Sequence, residues 1–109
     1  MRIFIRPSVG WPSAALVGVR ERFEFALGRF AGRVRSVTIR LGDVNGPRGG
    51  VDKTCAATVR LDWPRRTVVV EDIDQDPMVV IVRVAGRLAR SVGRAVDAAT
   101  ERKQTVGAR

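Results

Sequence analysis

The order of apolar and polar positions predicts a strand, a helix, three strands and a second helix. Residues 2 to 6 alternate, with Ile3 and Ile5 on one face and Arg2, Phe4 and Arg6 on the other, the period of a strand. Pro7-Ser8-Val9-Gly10-Trp11-Pro12 breaks it, and Ser8 or Ser13 is expected to cap the next element. From about Pro12 to Phe30, the residues Leu16, Val19, Phe23, Ala26, Leu27 and Phe30 recur at helical spacing. One continuous helix is expected there, stopping near Gly32. Phe23 and Phe30 share the aliphatic stripe, so both read as core.

Val34 to Leu41 alternates again, with Val37, Ile39 and Leu41 inward. So does Thr54 to Leu61, with Cys55, Ala57, Val59 and Leu61 inward. Thr67 to Glu71 is a β-branched run that makes a fourth strand. A glycine-rich connection, Gly42 to Lys53, joins the second and third strands, and Asp62-Trp63-Pro64-Arg65-Arg66 turns between the third and fourth.

The stretch from Asp76 to Arg94 organises the rest. Met78, Ile81, Ala85, Leu88, Val92 and Val96 form an apolar helical stripe. On the opposite side stand Arg83, Arg87, Arg90 and Arg94. At ~100° per residue these four fall within about 60° of one another, in a row about 17 Å long at ~1.5 Å rise per residue. One of Asp72, Asp74 and Asp76 should cap this helix, and Pro77 suits the first helical position if Asp76 does. Val96 to Glu101 extends the pattern.

The first strand reaches the second through a helical crossover, so that pair should be parallel, while the later strands form a meander. The resulting fold class is α+β: β-α-β-β-β-α, a four-stranded mixed sheet with two helices packed on one face. The other sheet face would carry Ser36, Thr38, Arg40, Thr58 and Arg60. Residues 1–101 are read as a single domain and 102–109 as a basic flexible tail.

Charge sharpens this picture. Lys and Arg number 20 against 11 Asp and Glu, giving +9 and a pI near 11.6. Such an excess, arranged as a row, points to a polyanionic partner. With one cysteine, Cys55, no internal disulfide can form, which fits a reducing cytoplasm. With no histidine, a histidine base or metal ligand is excluded. No apolar run approaches the ~20 residues of a membrane span, and the first residues do not read as a signal peptide.

Two motif-like stretches fail on inspection. Gly46 to Thr54 resembles a phosphate loop, but Asp52 precedes Lys53 where glycine is needed, and a strand succeeds it instead of a helix. Asp72-Ile-Asp74-Gln-Asp76 spaces its acids like a calcium loop, but Pro77 and Arg83 occupy the glycine and glutamate positions. Cys55 alternates inward without a base beside it and reads as packing. An enzyme is not expected, and neither a cofactor, a metal nor a small-molecule substrate is implied.

The run Leu41-Gly42-Asp43-Val44-Asn45-Gly46-Pro47-Arg48-Gly49-Gly50-Val51-Asp52-Lys53-Thr54-Cys55 resembles a connection found in a short branch of the ribosome hibernation-promoting factor and ribosome-associated inhibitor A family. The order of elements and the acidic lead into a basic helix are similar too. The resemblance implies a fold like the double-stranded-RNA-binding one. It implies a cytoplasmic translation-regulating, stress-response factor that binds RNA of the small ribosomal subunit in the channel for messenger and transfer RNA, so that an idle ribosome cannot initiate. Carried over residue by residue, the ribosomal-RNA contacts fall on Arg83, Arg87, Arg90 and Arg94, with Arg22 and Arg29 on the first helix. Arg48 and Lys53 are candidate loop contacts. Here the helices carry arginine where the family often has lysine, and the dimerisation domain of the long forms does not follow, so ribosome dimerisation is not implied. Competing readings are a generic RNA-binding domain and a protein-interaction module. Membrane-surface binding ranks below them, because the apolar stripe is needed for the core. Oligomeric state is left open.

Overall fold

The computed structural model describes residues 1–44 and 52–107, from 103 onward as backbone only. The elements are β1 (Arg2–Pro7), α1 (Ser13–Leu16), α2 (Val19–Leu27), a 3-10 turn (Gly28–Phe30), β2 (Val34–Asp43), β3 (Lys53–Leu61), β4 (Arg66–Asp74) and α3 (Pro77–Gly107). The strands lie in the order β1-β2-β3-β4. β1 pairs with β2 in parallel, and the remaining pairs are antiparallel. The helices pack on one face of this mixed sheet, as the alternation requires: Val37, Ile39, Cys55, Ala57 and Val59 are fully buried beneath them.

The first helical region departs from expectation. It is not one helix, because the backbone breaks at Val17-Gly18, where Gly18 takes φ +81°. That left-handed turn suits glycine because it has no Cβ to clash. Neither Ser8 nor Ser13 caps α1, which has Pro12 at its N-cap and no side-chain cap bond. α2 closes at Gly28 instead of Gly32 and tightens into the 3-10 turn. The stripe itself is as expected: Val19, Phe23, Leu27 and Phe30 are buried, and Leu16 and Ala26 pack at its margin.

β4 and α3 both run further than their local patterns suggest. β4 continues through Asp74, since β3 is longer by Lys53, and Lys53 and Thr54 stand in register with Asp74 and Ile73. Its inward positions read Val68, Val70, Asp72, Asp74, so the strand turns from apolar to acidic as it leaves the core. Asp76 then caps α3, accepting a bond from the Met78 N–H at 2.9 Å, with Pro77 in the first helical position. α3 buries Val80, Ile81, Val84, Ala85, Leu88 and Val92 among others, whereas Met78 is 39% exposed and lies outside the core. Met78 sits in the first turn, before the helix has settled over the sheet. The α3 backbone stays helical to Gly107, past the Glu101 boundary that apolar periodicity sets.

The connection after β2 is fastened at its base. The Trp11 indole N–H donates to the Gly42 carbonyl at 2.6 Å, and the Val44 N–H to the Asp52 carbonyl at 2.9 Å. Lys53 Nζ donates to Asp52 Oδ2 at 2.9 Å and to Asp43 Oδ2 at 3.1 Å. Asp52 is almost fully buried, and that ammonium is paired with it there. Bonds to Asp52 and then Asp43 hold the Lys53 pKa above its ordinary value.

Candidate nucleic-acid interface

The arginine row on α3 is present, but the molecule divides it. Arg83 donates to Asp72 at 3.2 Å and to Asp74 at 3.1 Å; Arg87 reaches Asp72 and the Glu71 carbonyl, each at 3.4 Å. The inward alternation of β4 places the acids for this. Both carboxylates are held below the usual range, Asp72 first by the Ile73 N–H and Asp74 first by the Asp76 N–H, with Arg83 contributing to each. The same pairing raises Arg83. The N-terminal half of the row is therefore largely neutralised.

The C-terminal half is not. Among the described residues Arg90 makes no ion pair, and Arg94 donates only to the Ser91 hydroxyl, at 3.2 Å. These two arginines border a cleft of about 380 Å³ between α2 and α3, whose other walls are Ala26, Arg29, Phe30, Ala89, Gly93 and Asp97. Gly93 permits the close approach of the two elements: a Cβ there would sit 3.3 Å from Phe30 Cζ. Arg29 is laid across the Phe30 ring, its guanidinium carbon 4.6 Å from the centroid, a cation–π contact that restrains it over the cleft. Three guanidinium groups thus meet around one opening, with Asp97 the single carboxylate in its lining.

Other sequence-selected residues fall outside this convergence. Arg22 is exposed on α2 but does not line the cleft. Lys53 spends its charge on Asp43 and Asp52 at the base of the connection, with its side chain only 14% exposed. Arg48 lies outside the described residues.

Sequence reasoning does not select two exposed residues that lie outside the cleft lining. Arg66, at the start of β4, lines a second hollow with Ser91 and Arg94 on the other flank of α3. It sits within the Arg65-Arg66 pair of the turn, where sequence gives no sign that α3 passes overhead. Phe25 on α2 is 91% exposed. Its place between Arg22 and Arg29, off the apolar stripe, is a sequence-level sign of an outward aromatic.

The arrangement suits phosphate. Guanidinium groups bridge phosphate oxygens bidentately, and such contacts carry no sequence code. No helix among the described residues is long and apolar enough to cross a membrane.

A mixed four-stranded sheet with a parallel β1–β2 pair and helices on one face is a fold shared with solved bacterial proteins. One is a ribosomal subunit interface protein from Coxiella burnetii, with a TM-score of 0.62 at 18% identity, covering 86% of this chain and 96% of that one. Another is the N-terminal domain of Protein Y from Thermus thermophilus, with a TM-score of 0.54 at 22% identity, covering 86% and 98%. At these identities the likeness is one of fold. No protein-family model and no curated protein matches the chain.

Proposed function

We propose that this chain is a ribosome-associated hibernation factor. It acts in the cytoplasm, without catalysis, by seating the cleft between α2 and α3 on RNA of the small ribosomal subunit. The observation that carries the reading is the convergence of Arg29, Arg90 and Arg94 on one opening, with no ion pair to Arg90 or Arg94 among the described residues. Buried helix flanks fix the backbone beneath that cationic surface, so only the exposed arginine side chains have to be ordered on binding. The solved relatives in fold add support, one of them being described as a ribosomal subunit interface protein. So does the resemblance of the Leu41–Cys55 run to the hibernation family.

Arg83 and Arg87 play a lesser part in this reading, because Asp72 and Asp74 already occupy them. Arg22 serves at the margin. If about three phosphates are neutralised, log K against log salt has a slope of roughly −2 to −3.

The test is competition binding. Labelled protein on purified small subunits is challenged with bulk duplex RNA of equal phosphate content. Retention on the subunit is expected. Equal displacement by duplex would identify a generic RNA binder, and nuclease-insensitive association with another protein would identify an interaction module.

A further inference from the structure

Among the described residues no element covers the sheet face away from the helices, and its composition is selective. Along β1, Arg2, Phe4 and Arg6 all point outward and are exposed, Phe4 by 42%. Register sets Arg6 directly beside Arg40 of β2, and Arg2 in the row that continues through Ser36 to Arg60 of β3. Like charges facing each other across strands destabilise a sheet unless something neutralises them. Among the described residues none of these four arginines makes an ion pair or a side-chain hydrogen bond within the protein. In the Arg6–Arg40 row, the next charge is Glu71, two strands further on.

We infer that this open face is a second nucleic-acid surface, one that takes a single-stranded RNA segment. Phe4 lies between Arg2 and Arg6, about 6.6 Å along the strand from each. That spacing lets a base stack on the ring while the phosphates on either side meet guanidinium groups. Thr38 stands beside Phe4 on β2, with Thr58 beyond it on β3, and supplies a hydroxyl to the same row. Beyond Arg40 the face sinks into a depression of about 540 Å³, walled by Arg40 and Glu71 and floored in part by Gly42 and Ala56. Small side chains make room there for a neighbouring base. Duplex RNA does not fit this design, because its stacked bases cannot reach an aromatic ring on a flat sheet. The inference does not rest on the α2–α3 cleft, which lies on the opposite side of the sheet.

Fluorescence anisotropy with a labelled ten-nucleotide uridine oligomer tests it on the full chain at about 50 mM salt. Phe4→Leu keeps an apolar strand residue but removes the ring, and is expected to weaken binding at least fivefold. Arg6→Gln with Arg40→Gln is expected to weaken it about tenfold or more and to flatten the salt slope by roughly 1.4. Arg90→Glu with Arg94→Glu should leave oligomer affinity within about threefold while removing small-subunit binding. Wild-type affinity in both sheet variants would overturn the inference. So would loss of oligomer binding in the cleft variant alone, absence of binding by the wild type, or a dimer that shields Phe4.

Discussion

The two halves of the α3 arginine row are the same residue type, on the same face of the same helix, yet they differ in what they offer a partner. Arg83 and Arg87 are held by carboxylates from β4, while Arg90 and Arg94 stand over a cleft that holds a third arginine. The cause is β4. Its inward side ends in Asp72 and Asp74, and α3 crosses so that only its first turns meet those acids. A cationic stripe read along one helix is therefore an upper bound on available charge, and the neighbouring strand sets the usable part.

The largest effect expected from this division is on binding. Reversing both Arg90 and Arg94 to Glu should cost about 100-fold or more in small-subunit affinity, since each charge-assisted contact is worth about 1.5–3 kcal/mol. Arg83→Gln with Arg87→Gln should cost less than about tenfold, because those charges are already partnered. Filter binding at fixed salt compares the two; equal losses would erase the distinction between the halves.

The reverse manipulation sharpens it. Asp72→Asn with Asp74→Asn releases Arg83 and Arg87, so affinity should rise by about threefold to tenfold and the salt slope steepen by up to roughly 1.4. The same pair predicts an acid response. Both carboxylates have folded-state values below their ordinary 3.8. Their contribution to stability is complete above that value and disappears as pH falls through the depressed ones. Urea midpoints taken from about pH 5 to about pH 2.5 should fall less steeply in the double Asn variant than in the wild type.

The smallest effect belongs to a residue outside both halves. Burial, reinforced by the charge of Asp72, pushes the Cys55 thiol up to about 12. It should resist a thiol-reactive dye at pH 8 in the folded protein and react on unfolding in urea. Rapid labelling of the native chain would contradict its place in the core.

The fold is legible in the sequence wherever a local pattern encodes it. Alternation located the first three strands and the inward set Val37, Ile39, Leu41, Cys55, Ala57, Val59 and Leu61, and a β-branched run located the fourth. Helical spacing located the row on α3 and the stripe on α2. Ends were less visible, because pairing partners decide them: β4 reaches Asp74 only because β3 begins at Lys53. The break at Gly18 was missed because one glycine inside a periodic run does not disrupt the period. The cleft was not legible at all. It depends on Gly93 admitting Phe30, and on Arg29 and Arg90 coming from helices far apart in the chain.

The knot of Lys53 with Asp43 and Asp52 carries a consequence for redesign. The described anchors close the two ends of the connection twice, once in the backbone from Val44 to Asp52 and once through the Lys53 ammonium. A foreign peptide grafted between Val44 and Asp52 would start and finish at those bonds. Doubling the insert length would add only about 0.6 kcal/mol of closure entropy, leaving the scaffold free to display segments chosen for another purpose.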